Sequence, residues 1–210
     1  MDRIRKENLI RRFAVMVFGI LFMGFGIALA RVAKMGTDPY TCLNLGISGV
    51  LNISFGTWQL ILNLVLIAAV FFYDKSFIGI ATVVNMVGVG YVSDFFAGLY
   101  VKLFEDPSAI PLRLLLMAFA VVISGLSCAM YLAAKLGTSP YDCVAFIIKG
   151  LSKDKLSFRV ARIIGDVTCV AVGFALGSIV GIGTVAMALL TGPLVQYFTK
   201  VFKRIWTFLP

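Results

Sequence analysis

Uncharged, apolar runs alternate with short polar segments along the whole chain. The uncharged runs cover 13–30, 39–73, 76–93, 114–134 and 167–199. Because a helix needs about 20 residues to cross about 30 Å of hydrocarbon, the two longest runs must be divided. Turn-like segments at 52–56 and 177–178 provide the division points. The pattern therefore predicts six transmembrane helices, near residues 13–33, 57–73, 77–101, 112–134, 157–176 and 179–199.

Composition supports a membrane protein and excludes several functional classes. Hydrophobic residues make up 60% of the 210 positions and charged residues only 14%, whereas charged residues make up about 25% of soluble domains. The net charge of +9 comes from basic residues at the ends of apolar segments, which argues against nucleic-acid binding. Histidine is absent and the four cysteines lie in or beside apolar runs, so no metal site, cofactor or common enzymatic nucleophile is predicted.

The distribution of basic residues predicts the orientation in the membrane. With the N-terminus inside, fifteen of the 19 Lys and Arg residues fall on cytoplasmic segments. Cytoplasmic loops carry the excess of Lys and Arg in membrane proteins. Both termini are therefore predicted to be cytoplasmic, in a multi-pass protein of a bacterial inner membrane.

A ten-residue motif occurs twice. The segment 33–42 recurs as 134–143, with seven of the ten positions identical. The match extends beyond the motif, since Asn63 aligns with Asp166 and Gly90 with Gly192. We therefore expect two repeats, residues 1–106 and 107–210, each with three transmembrane helices. An odd number of spans inverts the second repeat, as in many secondary transporters; alternatively, duplication built only a larger bundle.

Each motif predicts a turn followed by a short helix. Gly36 and Gly137 permit a sharp reversal, and the residues that follow are of helix-capping types. Pro39 and Pro140 suit the first turn of a helix. The predicted short helices, from Tyr40 to about residue 51 and from Tyr141 to about residue 151, lie either along the interface or as re-entrant half-helices.

The candidate substrate site combines both motifs with two polar positions at mid-span. A re-entrant helix would present its N-H groups to an anionic or carbonyl-bearing ligand, supported by two lysines, although those lysines could instead reach lipid headgroups. Asp166 lies about 14 Å deep, where an ionisable group is costly unless paired or hydrated. It is therefore either a structural partner of Arg162 on the same helix face or a coupling-ion or proton site. The candidate residues are Lys34, Gly36, Thr37, Asp38, Pro39, Tyr40, Asn63, Lys135, Gly137, Thr138, Ser139, Pro140, Tyr141 and Asp166.

The paired Lys-x-Gly-Thr-(Ser/Asp)-Pro-Tyr-x-Cys segments, the basic N-terminus and the duplicated three-span units resemble the YczE/YitT-like family of small bacterial membrane proteins. The resemblance is closer to YczE, because YitT-like members usually carry an additional soluble C-terminal domain. It implies a multi-span inner-membrane protein, often described as a candidate transporter with no assigned substrate.

Two functions are compatible with these patterns. The first is a small-solute transporter with a midplane site between two inverted repeats. The second is a membrane scaffold or accessory protein, in which the basic segment 149–162 binds anionic lipid or a cytoplasmic partner. The sequence leaves open the substrate and whether the chain forms homo-oligomers.

Overall fold

The structure, a computed structural model, describes residues 2–104, 106–152 and 155–205, with side chains from residue 8 onward. Among the basic residues used to predict orientation, Lys153 and the side chains of Arg3, Arg5 and Lys6 lie outside this part. The described residues form α-helices joined by short connections, with one 3-10 helix at Lys75–Phe77 and no strand. The helices are α1 (Asp2–Ala33), α2 (Pro39–Leu51), α3 (Phe55–Asp74), α4 (Ile80–Leu103), α5 (Ile110–Ala133), α6 (Pro140–Leu151), α7 (Phe158–Ala175) and α8 (Ile182–Ile205).

Five of these helices are long and apolar enough to cross a membrane. They are α1, α3, α4, α5 and α8, and they match five of the six predicted spans. The sixth predicted span corresponds to α7, an 18-residue helix that contains Arg159, Arg162 and Asp166. Many large apolar side chains on the long helices are exposed, as expected for surfaces in contact with lipid rather than water. The chain is thus an all-α membrane protein.

α1 and α5 form the central pair and run antiparallel. Arg12, near the start of α1, donates from Nε to the carbonyl oxygen of Ala134, just beyond the end of α5, at 2.9 Å. At the other end of the pair, Ala33 of α1 packs in one cluster with Met117 of α5. Small residues bring the two backbones close together, since a side chain at Gly19 would meet the α5 backbone at 3.0 Å.

Each member of the central pair carries one further long helix in a parallel orientation. α4 runs alongside α1 in the same direction, because Gly88 faces Ile20 and, further along both helices, Phe96 packs against Phe25 with ring centroids 4.9 Å apart. α8 runs alongside α5 in the same direction, because Gly183 near its start lies against Met117 and Phe202 near its end packs in one cluster with Met130. α1 and α4 therefore run in one direction, and α5 and α8 in the opposite direction.

The two motif turns cross to the other half of the chain. Gly36 and Gly137 have positive φ angles of 100° and 133°, which confirms the predicted reversals. The carbonyl oxygen of Met35 accepts a hydrogen bond from the N-H of Gly183 at the start of α8 (2.9 Å), and that of Leu136 accepts one from Ala81 at the start of α4 (3.0 Å). Each turn therefore satisfies an N-H that its partner helix cannot satisfy internally.

The short helices α2 and α6 begin in the centre of the bundle and run back toward its faces. Tyr40, in the first turn of α2, donates from its hydroxyl to Oδ1 of Asn63 in the middle of α3 (2.8 Å). α2 nevertheless ends at Leu51, immediately before α3 begins. Tyr141 of α6 donates in the same way to Asp166 of α7 (2.5 Å). Each short helix therefore begins beside the middle of a longer helix and ends near one face of the bundle.

The two outer helix pairs differ. α3 packs closely on α4, because Gly56 and Gly90 face each other: a Cβ on Gly90 would lie 2.7 Å from Cα of Gly56. α7 has no comparable packing against α8 among the described residues. Gly192, the repeat counterpart of Gly90, faces open space. The α3–α4 contact is thus closed, whereas the α7–α8 gap is open.

This difference predicts opposite effects of one substitution at two aligned positions. Gly90→Ala should lower the Tm in detergent, because its Cβ has no room against α3. Gly192→Ala should leave the Tm unchanged or raise it, since alanine favours a helix by about 1 kcal/mol over glycine. Thermal unfolding followed by circular dichroism provides the measurement. Equal losses at both positions would contradict the open α7–α8 gap.

Candidate functional site

A cavity of about 680 Å³ lies between the starts of the two short helices. It borders Met23 and Ile27 of α1 and Ser124 and Cys128 of α5, which lie in the middle of the central pair. The rings of Tyr40 and Tyr141 stack within its wall, with centroids 4.3 Å apart and planes inclined by 18°. The two motifs, 101 residues apart in sequence, therefore meet at this cavity.

The second motif provides the charged side of the cavity. Arg162 donates from Nη1 to Oδ1 of Asp142 at 2.7 Å, and its Nε lies 3.4 Å from Oδ1 of Asp166. The same guanidinium lies 4.7 Å from the centre of the Tyr141 ring. Each of these three charged side chains is about a third exposed. The predicted pairing of Arg162 with Asp166 is confirmed, and Asp142 is a second partner that the sequence analysis missed.

The first motif provides a neutral side at the aligned positions. Thr41, Gln59 and Asn63 correspond by the repeat to Asp142, Arg162 and Asp166. All six line the cavity. The tyrosine hydroxyl bonds to the aligned residue in both halves, to an amide oxygen in one and a carboxylate oxygen in the other. The backbone arrangement is therefore repeated, and the charge is not.

The helix starts at the cavity are already capped by side chains. Oδ1 of Asp38 accepts from the N-H of Thr41 at 3.1 Å, and Oγ of Ser139 accepts from the N-H of Asp142 at 3.2 Å. The first residue of each helix is a proline, which has no N-H to offer. The N-H groups that the sequence analysis assigned to an anionic ligand are thus partly taken up within the protein.

Several buried polar atoms in the cavity wall lack a hydrogen-bond partner in the described part of the chain. They are Oε1 of Gln59, Oγ of Ser124 and Oη of Tyr131. Gln59 is 4% exposed and Tyr131 1% exposed. A buried polar group without a partner costs about 1–3 kcal/mol. A bound solute with a hydrogen-bond donor, or water in the cavity, would relieve this cost.

The cavity reaches further into the second half of the chain than into the first. It extends to Phe158, the first residue of α7, and to Gln196 of α8, but not to their repeat counterparts Phe55 and Asp94. Phe158 is 41% exposed, whereas Phe55 is 3% exposed. The cavity thus opens through the α7–α8 gap toward the face at which α1 begins.

A polar cluster closes the corresponding route on the opposite face. Asp94 accepts from Nη1 of Arg31 (2.9 Å) and from the N-H of Gly56 (2.7 Å). The Arg31 guanidinium also lies 4.6 Å from the centre of the Phe55 ring. We call Arg31, Phe55, Gly56 and Asp94 the α3–α4 latch. The aligned position of Asp94 is Gln196, and that of Arg31 is Leu132, so no equivalent ion pair can form there.

The structure brings together most, but not all, of the predicted site residues. Those that line the cavity are Asp38, Pro39, Tyr40, Asn63, Thr138, Ser139, Tyr141 and Asp166. Gly36, Gly137 and Pro140 shape the turns and the start of α6 without lining it. Thr37 is buried beside a smaller cavity of about 360 Å³ near the opposite face.

The two motif lysines lie away from the central cavity. Lys34 is exposed and its Nζ lies 2.6 Å from Oδ2 of Asp106. Lys135 is also exposed, and its carbonyl oxygen accepts from Nη2 of Arg12 at 2.9 Å. The structure therefore does not bring either ammonium group to the place where a solute would lie. Within the described residues, no cluster of three or more His, Cys, Asp or Glu side chains is arranged to hold a metal ion.

These features define a multi-span α-helical membrane protein with a polar cavity at the centre of its bundle. The sequence model of a family of unknown function (DUF6198) matches residues 10–200, and the chain belongs to that family. No solved structure matches the chain.

Three curated bacterial proteins resemble the chain over most of its length. An uncharacterized protein of Haemophilus influenzae is 27% identical over 195 residues, which cover 93% of this chain and 86% of that protein. The uncharacterized protein YyaS of Bacillus subtilis is 26% identical, over 89% of this chain and 91% of its own length. The uncharacterized membrane protein YczE of the same organism is 23% identical, over 91% and 87%. The resemblance to YczE-like membrane proteins is confirmed.

The ion pairs of Arg162 with Asp142 and Asp166 predict that loss of the cation destabilises the protein and that loss of the two carboxylates as well restores most of the stability. Arg162→Gln copies the residue of the neutral half but leaves two carboxylates without their cation. We expect a loss of about 1–3 kcal/mol, smaller than for a fully buried pair because the groups are partly hydrated. Adding Asp142→Thr and Asp166→Asn removes the uncompensated charges and should recover most of the loss. Thermal unfolding of the single and triple variants measures both effects.

Equal stability of the Arg162→Gln variant and the native protein would show that the three charges are not coupled. A triple variant less stable than the single variant would lead to the same conclusion.

Proposed function

We propose that this protein is a small-solute transporter, built from two inverted three-span repeats that hold their substrate in the central cavity. The observation that carries the proposal is the cavity itself. Both motifs bound it, the route through α7 and α8 is open, and the aligned route through α3 and α4 is closed. A transporter that exposes one site alternately to two faces needs this combination of one open and one closed route.

The proposed inversion is supported by helix direction. α1 and α5, which contain aligned segments of the repeat, run antiparallel, and so do α4 and α8. α2 packs on α7 of the other repeat, and α6 packs on α3 of the other repeat as well as on α7 of its own, so each short helix contacts a helix of the other repeat. Such exchange of contacts is expected of two copies related by a two-fold axis through the cavity.

We propose α7 as the sixth span, although its charge is high for a membrane helix. Arg162 and Asp166 face the cavity, where water can hydrate them, while Ile163, Val167 and Phe174 are exposed on its outer surface. Ionisable groups within spans are tolerated when they face a hydrated cavity and pair with each other. The exposed apolar side chains provide the surface for lipid.

The excess of basic residues on one side supports a cytoplasmic location for the face at which α1 begins. In this orientation the cavity opens to the cytoplasm and the α3–α4 latch closes the outer route. Movement of α7 toward α8, together with release of the latch, would exchange the open and closed routes.

Cysteine labelling tests the inverted topology. Lys34 and Lys135 follow aligned helices, and both side chains are exposed. In a Cys128→Ser background, which removes the half-buried native thiol and leaves three buried ones, Lys34→Cys should react with a membrane-impermeant maleimide only in intact spheroplasts. Lys135→Cys should react only in inverted vesicles. Labelling of both from one face would exclude the inverted repeat.

A second experiment tests whether the two routes are coupled. Asp94→Asn removes the ion pair of the latch, and alternating access then predicts that the opposite route closes more often. Maleimide labelling of Phe158→Cys from the cytoplasmic face should therefore slow, although position 158 lies on the other face from position 94. The control is Asp106→Asn, which breaks the exposed pair with Lys34 on the same face as the latch and should leave the labelling rate unchanged.

If Asp94→Asn left the labelling rate at position 158 unchanged, the two routes would open independently of each other. That result is incompatible with a carrier mechanism.

A further inference from the structure

The charges that line the central cavity are unbalanced. Three carboxylates, Asp38, Asp142 and Asp166, and one guanidinium, Arg162, contribute to its wall among the described residues. Of the other cations near the motifs, Lys34 pairs with Asp106, Arg31 pairs with Asp94 and Arg12 donates to backbone carbonyls. Lys135 is exposed and does not line the cavity. With its carboxylates ionised, the cavity therefore carries an excess of two negative charges.

Asp38 is the carboxylate without a cation. Arg162 is shared between the two acidic residues of its own half, whereas Asp38 accepts a hydrogen bond from the backbone of Thr41. The described residues provide no Lys or Arg within ion-pair distance of it. A carboxylate so placed in a membrane protein is costly unless a cation or water accompanies it.

The other features of the wall also suit a cation. Aromatic faces attract cations. The Tyr141 ring already lies between the Tyr40 ring and the Arg162 guanidinium, so Tyr40 is the ring of the stacked pair that remains for a further cation. The volume of about 680 Å³ lies within the range of pockets that hold drug-sized organic molecules, about 300–1,000 Å³.

We propose that the cavity binds a protonated organic amine: a monovalent cation with an apolar body, whose ammonium group pairs with Asp38. The inference rests on the proposed function and names its substrate class. It reverses the preference expected from the motif sequences alone, because the helix starts are capped internally and neither motif lysine lines the cavity.

The experiment uses three probes of similar shape and different charge. They are 4-phenylbutylammonium, the neutral 4-phenylbutan-1-ol and the anionic 4-phenylbutanoate, titrated into the full-length protein in nanodiscs, with empty nanodiscs subtracting partition into lipid. Isothermal titration calorimetry should detect saturable binding of the ammonium probe, and at least about tenfold weaker binding of the other two.

Asp38→Asn tests the assigned residue without removing the helix cap, since asparagine caps helices as well as aspartate does. It should weaken binding of the ammonium probe about tenfold or more. The matched control is Asp74→Asn, an exposed capping aspartate on the cytoplasmic face, which should bind the probe like the native protein. Circular dichroism checks that both variants are folded.

Tighter binding of the anion than of the cation would overturn the proposal, and so would unchanged cation binding by folded Asp38→Asn. Flux measurements in proteoliposomes separate this inference from the proposed function. Saturable, Asp38-dependent binding without flux would contradict transport and leave the cation site intact. Flux of the anionic probe alone would leave transport intact and contradict the cation site.

Discussion

A helix that starts inside a lipid bilayer must find partners for its first N-H groups within the protein, because hydrocarbon offers none. The whole central region depends on how this chain meets that requirement. Proline at the first helical position removes one N-H, and Asp38 and Ser139 accept from another. Only because their starts are satisfied in this way can α2 and α6 begin beside one another, stack two tyrosine rings and leave a cavity between them.

Two backbone hydrogen bonds also link the two halves of the chain. The carbonyl oxygens of Met35 and Leu136 bind the first turns of α8 and α4, so each re-entrant segment is attached to the long helix of the other half. A shift of α8 must therefore displace the turn that leads into α2. This attachment provides a direct path from an outer helix to the centre of the cavity, without any need for long-range rearrangement of the central α1–α5 pair.

Much of this architecture could be predicted from the sequence. Five spans, both glycine turns, the capped short helices and the pairing of Arg162 with Asp166 follow from local patterns that depend on few neighbours. The repeat also identified the aligned positions of Asn63 and Asp166. The resemblance to YczE-like proteins rested on the doubled motif, which a single sequence displays in full.

Other features depend on distances between segments that no local pattern encodes. Lys34 and Lys135 stand two residues before the motif glycines in sequence, but both side chains are exposed and neither lines the central cavity. Asp142 was not among the predicted site residues, and only the packing of α6 against α7 brings it to Arg162. A position-by-position alignment of the two repeats would have shown that Thr41 and Gln59 occupy the positions of Asp142 and Arg162. The contrast between Phe55 and Phe158 had no signal in the sequence, because both follow a serine at the start of a helix.

The two walls of the cavity share a backbone arrangement but differ in charge, and this difference affects how a bound molecule is oriented. If the two walls of the cavity were identical, a bound molecule could take two equivalent orientations, with its polar end toward either wall. Here one wall presents threonine, glutamine and asparagine where the other presents aspartate, arginine and aspartate, so the two poses differ in energy and a polar occupant settles in one of them. The difference in charge between the two walls would therefore give a polar occupant one preferred orientation in the cavity.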